Sequence, residues 1–183
     1  NKNMMSSSDA LKSLAREASL STQTEMIEMG KRKQSLFIGI PKETELQEHR
    51  VALVPEAVGL LVSNGHNVII ETGAGETANF TDNDYSEAGG QIVYSNKDIY
   101  NADIILKVSP PSVNEISLMK HKQILFSALQ LSIQPEDALK KLIEKKVTAI
   151  AWDYIQDEDN LYPIIRSMGE IAGTSSILIA AEL

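Results

Sequence analysis

The sequence contains no cysteine. That absence excludes disulfide bonds, thiolate nucleophiles and cysteine-ligated zinc sites, and it fits a reducing compartment, so we expect a cytoplasmic protein. Basic residues are also few, since 17 lysines and arginines stand against 25 aspartates and glutamates, for a formal net charge of −8. An acidic chain of this kind argues against a nucleic-acid partner and against binding to an anionic membrane surface.

Long apolar runs and the familiar hydrolase motifs are missing as well. No continuous apolar stretch approaches the roughly 18 residues that a membrane-spanning helix needs. The first twenty residues contain no apolar signal core, so no secretion is expected. The sequence has no H-E-x-x-H, P-loop or G-x-S-x-G motif, and His49, His66 and His121 lack metal-ligand spacing. We therefore expect neither a metal site nor a serine triad.

What is present is a core-forming composition, with 43% hydrophobic residues. Residues 1–34 differ from the rest. Ser8 and Asp9 are good helix caps, and Leu11 and Leu14 follow them on one helical face. This pattern predicts an N-terminal helical arm; a partly ordered tail is the alternative.

From residue 35 onward, short apolar segments alternate with helix-like segments. The strand-like segments are SLFIGI, HNVIIET, QIVY, ADIILKV, QILFSAL and VTAIAWD. The helix-like segments are PEAVGLLVSNG, TDNDYSEAGG, NKDIYN, VNEISLMK and QPEDALKKLIEKK, followed by a long apolar helix from about Ile165. Such alternation predicts an α/β fold, a doubly wound and mostly parallel sheet with helices on both faces.

Ligands of doubly wound sheets bind beyond the carboxyl ends of the strands. One such loop contains Arg50, whose guanidinium suits a carboxylate or phosphate held in bidentate fashion. The alternative is an ion pair with Glu43 or Glu48 in a solvated loop. Lys107 ends an apolar strand and either faces the cleft or extends to the surface. Both cations belong to the same edge of the sheet, where they could share one anion.

Two further loops lie at this edge. Gln130 closes another apolar strand; its amide donates and accepts hydrogen bonds but cannot shuttle protons, and a plain surface amide is the alternative. In ETGAGETANF, Gly73, Gly75 and Ala78 fit the dinucleotide pattern G-x-G-x-x-A. That fingerprint opens a helix at once, whereas here no helix is expected before Thr81. The segment therefore favours a tight glycine turn.

These motifs, taken in order, resemble one family. IGIPKETELQEHRVALVPEAVGLLVSNGHNVIIETGAG, then DYSEAGGQIV, ADIILKV, LFSALQL and MGEIAG resemble the N-terminal region of alanine dehydrogenase. The same region opens the nucleotide-binding subunit of proton-translocating nicotinamide nucleotide transhydrogenase. The resemblance covers roughly Ser35 to Leu183, and its most specific part is P-K-E followed by R-V-A-L-x-P and G-H-x-V.

The resemblance implies a set of site residues. Arg50 and Lys107 fall on the arginine and lysine that hold the pyruvate or alanine carboxylate, and Met168 falls beside them as a substrate-binding residue. Lys107 and Gln130 are then the candidate catalytic residues. The resemblance also implies an NAD cofactor, bound mainly by a Rossmann domain beyond Leu183, and assembly into a homo-oligomer.

Two departures from the family pattern bear on the chemistry. The family usually has L-H-L where this chain has Leu129–Leu131, so Gln130 replaces a histidine that serves as acid–base residue. The family's M-S-E is here Met168-Gly169-Glu170. The spacing from Asp159 to Pro163 resembles alanine dehydrogenase, and the arginine–glutamine–aspartate loop typical of transhydrogenase is not evident.

The predicted organisation is an arm over 1–34, a substrate domain over 35–164, and over 165–183 the start of a helix connecting to an absent NAD-binding domain. On this interpretation the chain is an inactive piece of a longer enzyme that converts L-alanine, NAD and water to pyruvate, ammonia and NADH. A second interpretation is hydride exchange between NADH and NADP beside a membrane partner. A third is a non-catalytic module that binds carboxylates or forms oligomers.

Overall fold

Six short strands form one parallel sheet. The structure, a computed structural model, describes residues 35–182, so the arm predicted over 1–34 lies outside the described residues. The strands are β1 (Phe37–Ile40), β2 (Asn67–Glu71), β3 (Gln91–Val93), β4 (Ile104–Leu106), β5 (Ile124–Ser127) and β6 (Thr148–Ala151). Their order is β3-β2-β1-β4-β5-β6, and all neighbours are parallel. This is the strand order of the Rossmann fold.

Helices connect the strands. They are α1 (Pro55–Ser63), α2 (Asp82–Glu87), α3 (Asn96–Ile99), α4 (Val113–Leu118), α5 (Glu136–Glu144) and α6 (Pro163–Glu182), with 3₁₀ turns at Glu76–Ala78 and Trp152–Tyr154. Local chemistry sets several of the helix starts. Pro55 opens α1, and capping boxes that begin at Thr81 and Ser112 open α2 and α4.

The sheet is buried on both faces, as its apolar strands predict. In β2, Val68 and Ile70 pack into one cluster with residues of α1 and α2, while Ile69 points into a second cluster with residues of α3, α4 and α5. Alternation of this kind places helices on both faces. The structure therefore confirms the predicted α/β, doubly wound fold.

The segment ETGAGETANF forms the predicted tight turn. Gly73 has a φ of 72°, and the helix that follows is a single 3₁₀ turn rather than an α-helix. A Cβ on Gly75 would lie 2.7 Å from Cε2 of Tyr85 and 2.9 Å from the carbonyl oxygen of Phe80. The second glycine is thus required for packing inside this domain, and the backbone here is covered by protein rather than open to a dinucleotide.

Gly39 in β1 leaves no room for a side chain. A Cβ there would lie 2.7 Å from the carbonyl oxygen of Ile99 and 3.0 Å from Cβ of Ala102.

We expect Gly39→Ala to lower the free energy of unfolding by about 1–3 kcal/mol. The reason is that the nearest atom, the Ile99 carbonyl oxygen, belongs to the backbone and cannot move aside as a flexible side chain would. Urea denaturation measures this. Gly173→Ala in α6 is the control, since nothing lies within 4 Å of its Cβ position. It should stabilise the helix by roughly 0.5–1 kcal/mol, and equal destabilisation by both changes would contradict the argument.

Helix α6 begins at Pro163, two residues before the predicted start, because proline is favoured in the first helical turn. The apolar side chains of Ile171, Ile177 and Ile179 are exposed. By length and composition, Pro163–Ala181 could cross a membrane, which corrects the expectation that no stretch approaches this size. The expectation considered only unbroken apolar runs, whereas a helix spans by its average hydropathy. One such helix is weak evidence for a membrane span, because core helices of soluble proteins also meet these criteria.

Candidate active site

The candidate site lies between the carboxyl ends of β1 and β4. These neighbouring strands stand at the centre of the sheet, where the strand order reverses. Chain connections leave this point in opposite directions, which opens a crevice that binds ligands in folds of this class. The loop over 41–54 follows β1, and the segment over 107–112 follows β4. Two of the predicted site residues, Arg50 and Lys107, come from these segments.

Lys107 is buried between two carboxylates. The residue is only 3% exposed, and its Nζ lies 3.0 Å from Oε2 of Glu43 and 2.8 Å from Oε1 of Glu115. Oε1 of Glu43 also accepts the N–H of Val108 at 2.6 Å, and Oε1 of Glu115 accepts the hydroxyl of Tyr100 at 3.3 Å. Lys107 therefore does not extend to the surface. We call Lys107, Glu43 and Glu115 the buried triad.

Charge pairing decides the ionisation of the triad. Burial by itself lowers the pKa of Lys107, but the carboxylates of Glu115 and Glu43 outweigh it, and the pKa is raised above its usual 10.5. Burial likewise raises the pKa of Glu115, but Lys107 and the Ser112 cap outweigh it, and the pKa falls below 4.5. One ammonium beside two carboxylates gives the buried triad a formal charge of −1. Lys107 accordingly stays protonated at neutral pH.

Arg50 has its own carboxylate partner. Its Nε and Nη2 donate to Oε1 and Oε2 of Glu48 at 2.8 and 2.6 Å. Its Nη1 lies 3.3 Å from the sulfur of Met168 on α6. Hydrogen bonds from Arg50 hold the pKa of Glu48 down at about 2, although burial opposes them. The ion pair with Glu48, named above as one alternative for Arg50, is present in the structure.

Two adjoining cavities meet at Arg50. One of about 380 Å³ is lined by Arg50, Lys107 and Met168, with apolar walls that include Trp152. The other, of about 400 Å³, is lined by Arg50, Gln130 and Trp152. The structure therefore brings three of the four predicted site residues to one cavity. Gln130 lines the neighbouring cavity instead.

Gln130 lies in a strained turn that Asp153 stabilises. Its φ of 44° is left-handed, which is uncommon for a residue other than glycine. The carboxylate of Asp153 accepts the N–H groups of Leu129 and Gln130 at 3.1 and 3.0 Å. These charge-assisted hydrogen bonds offset the cost of the conformation. The Gln130 side chain remains exposed at the cleft.

Sequence reasoning did not find the full set of carboxylates around this site. Glu115 carries a local signal, because it is the fourth residue of a capping box that begins at Ser112. Its bond to Lys107, and the bonds of Asp153 to a loop 23 and 24 residues away, have no sequence signature. Within residues 35–182, no group of three or more histidine, aspartate or glutamate side chains is arranged to hold a metal ion.

Comparison with known proteins gives the relationship. Residues 39–172 match the sequence profile of the family described as "Alanine dehydrogenase/PNT, N-terminal domain". The chain belongs to this family.

Members of the alanine dehydrogenase/PNT family are found among the similar proteins. An alanine dehydrogenase of Methanococcus maripaludis is 40% identical over 148 residues, which are 80% of this chain and 39% of that protein. An alanine dehydrogenase of Staphylococcus saprophyticus is 41% identical over 147 residues, again 80% of this chain and 39% of that protein. This chain thus spans about 39% of the length of these relatives.

Solved structures show the same relationship. An L-alanine dehydrogenase superposes with a TM-score of 0.74 at 39% identity, covering 78% of this chain and 39% of that one. A transhydrogenase from Sinorhizobium meliloti superposes with a TM-score of 0.60 at 31% identity, covering 64% of this chain and 34% of that one. Both branches of the alanine dehydrogenase/PNT family therefore share this domain fold.

Proposed function

We propose that this chain supplies the substrate-binding domain of an NAD(H)-dependent oxidoreductase that interconverts L-alanine with pyruvate and ammonia. The observation that carries the proposal is the cavity beside the β1–β4 crevice. Arg50, Lys107 and Met168 all line this one cavity. The similarity to alanine dehydrogenases over 80% of the chain supports the choice of substrate.

In this proposal Arg50 binds the substrate carboxylate. Two of its nitrogens are engaged by Glu48, and Nη1 remains toward the cavity beside the sulfur of Met168. A substrate carboxylate accepts a charge-assisted hydrogen bond from this nitrogen. Lys107 lines the same cavity, but its Nζ is bound by Glu43 and Glu115. Its proposed role is therefore to fix the cavity wall beside Arg50, and because its pKa is raised it does not give up a proton.

Gln130 is proposed to orient the reacting carbonyl or amino group. An amide donates a hydrogen bond to the keto oxygen but supplies no proton. Proton transfer is therefore assigned to water or to a group outside residues 35–182.

NAD supplies hydride chemistry when bound. The glycine turn at Gly73 and Gly75 is covered by protein and does not suit a dinucleotide. We place the NAD site outside the described residues and assign it no contact here.

A second candidate function is hydride exchange between NADH and NADP beside a membrane partner. The superposition on a transhydrogenase favours it, and in that case the cavity binds no amino acid.

A third candidate function is a carboxylate-binding or oligomer-forming module without turnover. Gln130 favours this function, because a glutamine cannot transfer protons.

The test follows NADH absorbance with the full-length gene product, first with pyruvate and ammonium together and then with each omitted. We expect NADH consumption only when both are present. Consumption that requires NADP instead of pyruvate would replace the proposal with transhydrogenation. No consumption, combined with saturable pyruvate binding by calorimetry, would replace it with the non-catalytic module.

A further inference from the structure

Glu48 makes four hydrogen bonds from a surface loop. Oε1 accepts the backbone N–H of Arg50 at 3.0 Å and its Nε–H at 2.8 Å. Oε2 accepts Nη2–H of Arg50 at 2.6 Å and the hydroxyl of Ser109 at 3.1 Å. The Glu48 side chain is only 10% exposed, whereas that of Arg50 is 53% exposed. The carboxylate is thus the ordered, enclosed member of the pair.

A tight turn presents Glu48 to Arg50. The backbone N–H of Glu48 donates to the carbonyl of Glu45 at 3.2 Å, and Gln47 between them has a left-handed φ of 66°. The bond from Ser109 then ties this loop, which follows β1, to the segment that follows β4. Glu48 therefore joins the two sides of the crevice.

The pairing leaves one end of the Arg50 guanidinium available. Glu48 engages the edge formed by Nε and Nη2, so Nη1 faces the cavity beside Met168. Within residues 35–182, the acceptor at Nη1 is the thioether sulfur of Met168, a weak acceptor that a substrate carboxylate can replace. An unrestrained arginine loses side-chain entropy when it is fixed. Holding it before the ligand arrives removes part of that cost from binding.

We propose that Glu48 is a positioning residue, which holds Arg50 in the orientation that receives the substrate carboxylate. This inference rests on the proposed function, in which Arg50 binds that carboxylate. The opposite role would be that of a competitor, with Glu48 occupying Arg50 in place of the substrate. The two roles predict opposite effects of removing the charge.

The experiment compares Glu48→Gln with Glu144→Gln in the full-length gene product. We expect Glu48→Gln to raise the KM for pyruvate about tenfold, the scale of one charge-assisted hydrogen bond, with kcat within about twofold. Glu144 is the matched control, because it is an exposed carboxylate at the end of α5. Glu144→Gln should leave both constants unchanged. Ser109→Ala, which removes only the bond across the crevice, should raise the KM by a smaller factor.

A second readout does not depend on turnover. In ¹H–¹⁵N spectra, the Nε–H signal of Arg50, assigned by its loss in Arg50→Lys, should exchange slowly with water. Glu48→Gln should make that exchange fast, and Glu144→Gln should not.

The outcomes separate this inference from the proposed function. A KM lowered or unchanged by Glu48→Gln, while Arg50→Ala raises it, overturns the positioning role alone. Unchanged KM in Arg50→Ala overturns the assignment of Arg50 and the positioning role with it. Slow exchange of the Nε–H in Glu48→Gln also overturns the positioning role, because the guanidinium would then be held by something else.

Discussion

Replacing Arg50 with alanine should raise the KM for pyruvate by roughly 10- to 150-fold, which corresponds to about 1.5–3 kcal/mol for a lost charge-assisted hydrogen bond. Among residues 35–182, Arg50 is the one cation that lines both cavities, and its side chain is about half exposed. Folding should be preserved, because Glu48 keeps its bond to Ser109, and removal of the half-exposed Arg50 side chain lets water reach the Glu48 carboxylate. Steady-state kinetics at saturating NADH and ammonium measures the change.

Arg166→Ala is the matched control for this experiment. Arg166 is an exposed arginine on α6 whose guanidinium pairs with Glu170 one helical turn away. Its removal should leave the KM for pyruvate unchanged. Arg50→Lys adds a graded variant, since lysine keeps the charge but loses the planar fork. A KM equal to that of the parent in Arg50→Ala would remove Arg50 from the substrate site.

Replacing Lys107 with methionine should lower the free energy of unfolding by about 3–5 kcal/mol, the usual cost of removing one partner from a buried ion pair. Methionine fills a similar volume, so the loss reports charge rather than a cavity. The carboxylates of Glu43 and Glu115 would remain buried without their ammonium. Urea denaturation gives the value. Lys140→Met, at an exposed lysine paired with Glu136 on α5, is the control and should change stability by at most about 0.5 kcal/mol.

The pH dependence of this difference has a definite sign. The pKa of Lys107 is raised, so its contribution is complete below 10.5 and is lost as pH rises through the folded value. The pKa of Glu115 is lowered, so its contribution is complete above 4.5 and is lost as pH falls through the folded value. The stability that Lys107 and Glu115 contribute to the parent is therefore complete between these limits.

In Lys107→Met, Glu115 keeps its bonds from Ser112 and Tyr100 but loses the ammonium. Burial then raises its pKa above that in the parent, so the variant takes up a proton as pH falls. The gap between the two proteins should narrow from neutral pH toward pH 4.5; a gap that stays constant would contradict an ionised triad.

The sequence was sufficient for the fold because its signals are local. Each strand is a short apolar run, each connection carries a cap or a stop residue, and the resulting alternation leaves few arrangements other than a parallel sheet. The same logic placed Arg50 and Lys107 at one edge, since both follow strands that end there. Helix α6 begins two residues before its predicted start.

The sequence named Glu43 and Glu48 as alternative partners of Arg50 without deciding between them, and it named no partner for Lys107. The expectation that Arg50 and Lys107 could share one anion treated both as free charges. In the structure each has its own carboxylates, because Glu43 turns inward to Lys107 while Glu48, five residues later, turns back to Arg50. That choice depends on the turn with Gln47 at positive φ, and glutamine carries no sequence signal for such a turn.

The central pairing of β1 with β4 has a consequence for how the chain divides. Residues before Tyr100 form β1, β2 and β3 with their helices, and residues after it form β4, β5 and β6. The two halves meet along the β1–β4 strand pair and in the core cluster that Ile69 shares with Ile105 and Ile116. Three further contacts cross this boundary: Lys107–Glu43, Ser109–Glu48 and Arg50–Met168. The contacts across the cleft thus also hold the two halves of the domain together. A carboxylate bound across the cleft would favour the joined halves over the separated ones by the free energy of its own binding, so occupancy of the site and integrity of the sheet are thermodynamically linked.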